Sequence, residues 1–224
     1  MEAPGPVRGW GLGRVLTAEA IGELLQPYVQ GGPAGTADAV EDWARILGQL
    51  SVYLELILKW NARINLTAIR SPEEIVRRHF GESLFVGARL GACETLLDFG
   101  SGAGFPGIPI QLMRPEVAVT LAESRSRKAA FLQEVLRTLG LRTEVWAGRV
   151  EGMPSGRRFD VVAMRAVEDM TAAVAEAGRR AKERVLVLGT AGFPVLAGVE
   201  GFSVGEPVAL PGSDESVLWI ARRR

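Results

Sequence analysis

A glycine-rich segment, residues 97–107, has the residue types and spacing of a ligand-binding turn. Its sequence is Leu-Asp-Phe-Gly-Ser-Gly-Ala-Gly-Phe-Pro-Gly, and it follows a short apolar stretch that predicts a strand. Glycine lets the backbone approach a ligand closely, and the first N–H groups of a helix are free to donate hydrogen bonds. A strand, a glycine turn and a helix start therefore predict a binding site at the end of the strand.

Two ligand classes fit the glycine spacing. Gly102, Gly104 and Gly107 match G-x-G-x-x-G, the pattern of dinucleotide-binding turns, which is weak by itself. Asp98, Gly100, Gly102 and Gly104 match D-x-G-x-G-x-G, which resembles the first motif of doubly wound S-adenosylmethionine-dependent methyltransferases. A tight turn without a ligand is the third interpretation. It is the least favoured, because four glycines lie within eight residues.

An acidic residue follows at the distance expected for a ribose contact. Residues 117–122 alternate around β-branched residues and predict a second strand. Glu123 ends that strand, about 20 residues after the glycine turn, where such folds place a carboxylate on the ribose hydroxyls. Any adenosine ligand suits this carboxylate, so Glu123 does not distinguish a methyl donor from a nicotinamide cofactor.

Composition limits the possible classes of protein. The chain has 224 residues, of which 47% are apolar, enough for one α/β core and a small accessory region. No apolar run is long enough to span a membrane and the N-terminus lacks a secretory apolar core, so we expect a cytoplasmic protein. Cys93 and His79 are the single cysteine and histidine, so we expect neither a disulfide framework nor a bound metal.

The charges are unevenly distributed, although the formal net charge is zero. A neutral sum argues mildly against a nucleic-acid partner. Residues 16–58 contain six acidic residues and one basic residue, whereas residues 59–89 contain six basic and three acidic residues. Charge alone favours two oppositely charged solvated faces. The alternative is a basic segment for RNA phosphates, with five candidates: Lys59, Arg63, Arg70, Arg77 and Arg78.

Helical patterns occupy the N-terminal part of the chain. Thr17 is predicted to cap a helix that ends near Tyr28, and Thr36 to cap a longer one. The longer helix has apolar residues at helical spacing along one face, namely Val40, Trp43, Ala44, Leu47, Leu50, Leu54, Ile57 and Leu58. Residues 71–74, Ser-Pro-Glu-Glu, form a capping-box pattern that predicts a third helix carrying His79.

After Gly91, predicted strands alternate with predicted helices. The strands are 94–98, 117–122, 143–147, 159–164 and 184–188, and the helices are 106–113, 125–139 and 168–182. This alternation indicates a parallel sheet covered on both faces. Two further runs, 206–210 and 216–221, predict an antiparallel hairpin at the edge. We therefore predict an α/β protein with residues 1–15 disordered, a helical cap over 16–90 and a doubly wound, mostly parallel seven-stranded sheet within 91–224.

Several segments between about residue 40 and residue 167 match one family in order. They are 58–61, 64–67, 78–80 with 83–84, 104–109, 123–125 with Lys128, 148–151, 159–160 and 165–166. On these segments the chain resembles the bacterial family first described as glucose-inhibited division protein B, whose members are N7-guanine methyltransferases of small-subunit ribosomal RNA. The Gly-Phe-Pro-Gly-Ile-Pro run at 104–109 is much more specific than the glycine pattern alone.

The resemblance implies a class I methyltransferase that uses S-adenosyl-L-methionine, acts as a monomer and has small-subunit ribosomal RNA or an assembling small subunit as its partner. It implies Arg165 as the catalytic residue. The implied cofactor-binding residues are Asp98, Gly100, Gly102, Gly104, Phe105, Glu123, Val150, Glu151 and Arg165. The implied RNA-binding residues are Asn65, His79, Lys128 and Arg149. Guanine N7 has no proton to lose, which agrees with the lack of an obvious acid–base pair.

The C-terminal part departs from the family pattern. Gly189-Thr190 stands where the family usually has Lys-Gly, and Asp214-Glu215-Ser216 stands where it usually has Arg-His. Both departures remove positive charge from a region expected to face RNA. A cofactor-binding protein with weak or lost RNA methyltransferase activity is therefore an alternative. A nicotinamide-dependent oxidoreductase and a small-molecule methyltransferase are two others, although the latter has no use for a basic segment at 59–89.

Overall fold

A computed structural model describes residues 16–29, 37–192 and 199–224. The expectation for residues 1–15 and the proposed cap at Thr36 lie outside the described residues. Five helical elements form the N-terminal part: α1 Ala18–Val29, α2 Ala37–Asn61, α3 Pro72–Glu74, a π-helix Ile75–Gly81 and α4 Glu82–Ala88. No helix in the described ranges is both long and apolar enough to cross a membrane.

Two of the predicted helix caps are present. The Ala20 N–H donates to Thr17 Oγ1 at 3.2 Å, and the Glu74 N–H donates to Ser71 Oγ at 3.3 Å. The third predicted helix differs, because the α-helical turn that Ser71 caps gives way to the π-helix and then to α4. Such wider turns often occur at functional sites. This one carries His79 inward, away from solvent.

The sheet has eight strands among the described residues: β1 Thr95–Phe99, β2 Ala118–Ala122, β3 Glu144–Trp146, β4 Phe159–Arg165, β5 Ala181–Thr190, β6 Phe202–Val204, β7 Val208–Ala209 and β8 Ser216–Arg223. Their order is β3-β2-β1-β4-β5-β8-β6, with β7 also paired to β8. The first five strands are parallel, and β8 is antiparallel to β5. The remaining helices are α5 Gly107–Met113, α6 Ser126–Leu139 and α7 Met170–Arg180, with a 3₁₀ turn at Val150–Gly152.

The prediction of a doubly wound, mostly parallel sheet is confirmed, but its C-terminal edge differs from the expected hairpin. β7 and β8 do pair, as predicted, yet β8 lies between β5 and the β6–β7 edge. Two short strands, β6 and β7, occupy the place of the expected sixth strand, which raises the count from seven to eight. The strand pattern did not indicate β6, because it spans only three residues between Gly201 and Gly205.

Alternate residues of the central strands enter two hydrophobic clusters, one on each face of the sheet. Leu96 and Val161 belong to the cluster that also contains Ile21, Leu50 and Tyr53 of the N-terminal helices. The opposite face packs against α7. The N-terminal helices therefore share one core with the sheet. The junction of the π-helix and α4 lies at the carboxyl end of β4, where Arg165 contacts Arg78 and Glu82.

Candidate active site

The glycine loop, residues 100–107, connects β1 to α5 and has one glycine facing open space. Gly100, Gly102 and Gly104 have φ angles of +74°, +57° and +96°, which L side chains rarely adopt. A Cβ atom at Gly104 would lie 2.5 Å from the Tyr53 hydroxyl oxygen. A Cβ atom at Gly102 would have the Gly100 carbonyl oxygen, at 3.8 Å, as its nearest neighbour. Gly104 is thus required by packing, whereas Gly102 leaves space for a ligand.

Buried hydrogen bonds fix the glycine loop on the side that faces the protein core. The Gly107 N–H donates to Asp98 Oδ2 at 3.0 Å, and the Tyr53 hydroxyl donates to the Ala103 carbonyl. Asp98 is fully buried, and burial raises its pKa to about 7. Its Oδ1 atom has no hydrogen-bond partner within the described part of the chain. A buried acceptor without a donor therefore lies at the base of the loop.

Glu123 lies against the same loop, at the end of β2. Its Oε2 atom accepts the Gly102 N–H at 2.9 Å, and its Oε1 atom accepts the Arg125 N–H at 2.7 Å. The residue is 6% exposed. Each carboxylate oxygen has two acceptor positions, so Glu123 can still accept ligand hydroxyl groups. The structure thus brings together Asp98, Gly102 and Glu123, as the sequence predicted.

Cavity A lies beside the loop, beyond the ends of β1 and β2. Its volume is about 380 Å³, and Gly100, Arg149, Val150, Glu151 and Val167 are among the residues that line it. Val150 is buried and supplies an apolar wall, whereas Arg149 and Glu151 are exposed. Three predicted cofactor residues and one predicted RNA residue, Arg149, therefore meet at this cavity.

Cavity B lies beyond the ends of β4 and β5 and has a volume of about 290 Å³. Arg165 Nη2 lies 3.0 Å from Glu82 Oε2, and Arg165 Nη1 donates to the Arg78 carbonyl at 2.7 Å. All three residues line the cavity. Burial raises the pKa of Glu82, and the positive charges of Arg165 and Arg78 oppose this shift. The wall also includes Ala166, whose φ of +48° is unusual for a residue with a side chain.

The C-terminal departures from the family pattern border cavity B. Gly189, Thr190 and Ser216 line it, since Thr190 of β5 is paired with Ser216 of β8. Thr190 and Ser216 offer hydroxyl groups and Gly189 has no side chain, so none of the three supplies a positive charge. The wall of cavity B is therefore the part of the site that the altered tail affects.

His79 and Phe105 are buried together under the N-terminal helices. Their rings stack with centroids 4.6 Å apart, and His79 Nε2 lies 2.7 Å from Thr67 Oγ1. Burial lowers the pKa of His79 to about 3, and the charges of Arg165 and Arg78 add to this effect. The imidazole is thus neutral, and neither side chain is among those that line the two cavities. This placement favours a positioning role for His79 and a packing role for Phe105 over direct ligand contact.

Asn65 and Lys128, the other two RNA-binding residues that the family resemblance implies, do not line either cavity. Asn65 is exposed and accepts a hydrogen bond from Arg70 Nη2 at 3.0 Å. Lys128 is half-buried in the first turn of α6. All five candidates of the basic segment are exposed: Lys59, Arg63, Arg70, Arg77 and Arg78.

The described residues contain no group of three or more His, Cys, Asp or Glu side chains that could hold a metal ion.

Sequence reasoning missed two side chains that shape the site. Tyr53 supports the glycine loop from α2, and its place in an apolar helical face gave no sign of a hydrogen-bonding role. Glu82 pairs with Arg165 from α4. Glu82 stands two residues after Phe80 and just before the apolar residues 84–86, and this was the available sign, because an acidic residue is rarely buried without a charged or hydrogen-bonding partner.

Comparisons with known proteins agree with this arrangement. A family model described as rRNA small subunit methyltransferase G, GidB, matches residues 46–191. Ribosomal RNA small subunit methyltransferase G of Nitrosomonas europaea is 40% identical over 147 residues, which are 65% of this chain and 68% of that protein. The protein of the same name from Xanthomonas euvesicatoria is 37% identical over 179 residues, covering 76% and 84% of the two chains.

Solved methyltransferase structures share the fold at low sequence identity. Magnesium protoporphyrin IX methyltransferase from Synechocystis, solved with bound SAM, superposes with a TM-score of 0.59 at 14% identity, over 77% of this chain and 97% of that one. A putative RNA methyltransferase from Pyrococcus horikoshii superposes with a TM-score of 0.55 at 19% identity, over 78% and 98%. These similarities establish the fold class.

Proposed function

Because the chain belongs to the rRNA small subunit methyltransferase G family, we propose that it transfers a methyl group from S-adenosylmethionine to guanine N7 of small-subunit ribosomal RNA. We further propose that it acts as a cytoplasmic monomer. The observation that carries the proposal is the family match over residues 46–191, which contains the glycine loop, Glu123 and Arg165.

The described residues fit the proposed cofactor. The space at Gly102 and the unpaired Asp98 Oδ1 beneath the loop suit the methionine part, whose ammonium group is a donor. Glu123 would accept the ribose hydroxyls, and the apolar wall at Val150 would contact the adenine in cavity A. The cofactor supplies an electrophilic methyl group on a sulfonium.

Cavity B is the proposed place of the guanine. It adjoins the glycine loop through β4, the neighbour of β1, and Arg165 at its wall can donate to a base or a phosphate. Guanine N7 has a lone pair and no proton, so the site needs orientation rather than a general base. A base in structured RNA must first leave its stack to enter such a cavity.

The basic segment supplies a surface for the surrounding RNA. Arg78 lines cavity B, and Arg77 is exposed beside it on the π-helix. The loop that carries Arg63 and Arg70 is joined to the π-helix by the contact between Thr67 and His79. Positive charge close to the cavity would bind phosphates and guide the target nucleotide.

One specific observation favours the alternative of weak or lost activity. Thr190 and Ser216, both at altered positions of the tail, line cavity B itself. On this alternative the chain binds the cofactor through the glycine loop but transfers little or no methyl group to RNA. The nicotinamide alternative has no comparable support, because it leaves the family match unexplained.

Two measurements on the purified chain test the proposal. Titration calorimetry with S-adenosylmethionine and with NADH is expected to show binding of the first and not of the second. Labelled methyl groups are then expected to enter unmodified small-subunit RNA or small-subunit particles that lack the modification. Tight NADH binding without affinity for S-adenosylmethionine would overturn the proposal, and cofactor binding without transfer to either substrate would identify the weak-activity alternative.

A further inference from the structure

Cavity B contains a nearly buried carboxylate, Glu82, to which the proposed function assigns no role. The Glu82 side chain is 5% exposed and lines the cavity beside Arg165, whose side chain is 14% exposed. Its polar contacts within the described residues are the ion pairs with Arg165 at 3.0 Å and Arg78 at 3.9 Å. No backbone N–H group in the described ranges donates to it. Its lone pairs are therefore available to a ligand.

The chemistry of N7 methylation restricts how guanine can be recognised. Arginine commonly binds guanine through O6 and N7 together, but here N7 must stay free for the methyl group. Recognition then depends on the opposite edge, where N1–H and the N2 amino group are donors and O6 is an acceptor. A site that reads this edge needs an acceptor and a donor side by side.

We propose that Glu82 determines the base specificity of this chain by accepting hydrogen bonds from guanine N1–H and the N2 amino group, while Arg165 donates to O6. This inference rests on the proposed function. The Glu82–Arg165 pair presents an acceptor next to a donor, which is the pattern complementary to guanine. Adenine has the reverse pattern, so its N1 lone pair would face the carboxylate and its amino group would face the guanidinium.

The proposed contact of Glu82 with guanine N1–H and the N2 amino group is stronger in the transition state than in the bound substrate. Guanine N7 uses its lone pair to form the new bond to carbon, the electron pair of the broken bond stays with the donor sulfur, and no proton is lost. Positive charge therefore moves onto the ring, which makes N1–H and the amino group better donors to the carboxylate. A contact that strengthens in this way increases kcat rather than only the affinity for RNA.

Inosine tests the contact directly, because it is guanosine without the N2 amino group. Small-subunit RNAs are prepared with guanosine or inosine at the nucleotide that the unchanged chain methylates. Single-turnover rates are measured for the unchanged chain, Glu82→Gln and the control Glu74→Gln, an exposed glutamate eight residues away. S-adenosylmethionine affinity is measured for each, as a test that the site is intact.

We expect the unchanged chain and Glu74→Gln to methylate the guanosine RNA about tenfold faster than the inosine RNA, the discrimination typical of one good base contact. Glu82→Gln should be slower on guanosine, and its ratio of the two rates should approach one. Equal rates of the unchanged chain on both RNAs would overturn the inference, even if Glu82→Gln failed to fold.

An unchanged ratio in Glu82→Gln, with both rates lowered equally, would also overturn it and leave Glu82 a structural partner of Arg165. No transfer by the unchanged chain to the guanosine RNA would instead show that the proposed function itself is wrong.

Discussion

The carboxylate of Glu123 accepts the backbone N–H of Gly102 at 2.9 Å, so the ends of the neighbouring strands β1 and β2 are joined at the glycine loop. The two residues are 21 positions apart in the chain. Their contact fixes the positions of two groups. One is Gly102, beside which the loop leaves open space, and the other is the Glu123 carboxylate, which is expected to bind a ribose. Two separate sequence features thus form one site.

Gly102→Val should abolish S-adenosylmethionine binding, because its side chain would fill the space that the loop leaves open. The positive φ adds a cost of about 1–2 kcal/mol for any residue with a Cβ. Gly140→Val is the matched control, since Gly140 lies at the end of α6, has a φ of +69° and would have no neighbouring atom within 4 Å of an added Cβ. Calorimetric titration and thermal unfolding measure the two effects.

The control should lose stability to a similar extent but keep its cofactor affinity. If Gly102→Val bound S-adenosylmethionine as tightly as the control, the open space at Gly102 would not be the cofactor site.

Arg165→Lys should slow methyl transfer while the fold is kept. The guanidinium reaches the Arg78 carbonyl and Glu82 with two different nitrogen atoms, which a lysine cannot reproduce. We expect a single-turnover rate lower by roughly tenfold or more at saturating cofactor, equivalent to about 1.4 kcal/mol. Arg137→Lys, in an exposed ion pair with Glu134, is the control and should change stability by less than about 0.5 kcal/mol.

A normal rate at saturating cofactor, with weaker S-adenosylmethionine binding, would assign Arg165 to the cofactor rather than to the base. Normal rate and normal affinity would remove it from the site.

His79 should stay neutral in the folded chain at every pH from 8 to 5, because its pKa is lowered from 6.5 to about 3. It is the single histidine, so one imidazole Cε1–H resonance reports on it in an NMR titration. The unfolded chain takes up this proton below about pH 6.5 and the folded chain does not, so the His79 contribution to stability falls as pH drops through that range. A folded-state titration near pH 6.5 would show that the ring is exposed and able to contact RNA as a cation.

Reversing charge in the basic segment should weaken RNA binding without affecting the cofactor. Arg63→Glu with Arg77→Glu is expected to lower RNA affinity and to reduce the salt slope by about 0.7–0.9 for each phosphate that the variant no longer neutralises. The control double variant, Arg142→Glu with Arg222→Glu, makes the same charge change at exposed positions near the amino ends of the parallel strands, away from the two cavities. Filter binding at several salt concentrations measures both double variants. Equal losses of affinity in the two would mean that net charge alone, and not this surface, controls RNA binding.

The five parallel strands, the glycine loop and the carboxylate of Glu123 could be predicted from sequence, because they depend on the local spacing of residues and on the rule that ligands bind at the carboxyl ends of parallel strands. Side-chain direction could not. Phe105 follows a glycine with positive φ, which turns its ring into the core beside Tyr53 and Phe80. The π-helix moves His79 inward, and the partnership of Glu82 with Arg165 joins residues 83 positions apart that only the tertiary fold brings together.

The position of the transferred methyl group is the most direct test of the proposed function. Unmodified small-subunit RNA, or particles that lack the modification, would be incubated with the purified chain and labelled S-adenosylmethionine, then digested to nucleosides and analysed by mass spectrometry. We predict N7-methylguanosine as the labelled nucleoside, and none when 7-deazaguanosine replaces the guanosine at the methylated position. Label in any other nucleoside, or label that persists in the 7-deaza RNA, would contradict methylation of guanine N7 by this chain.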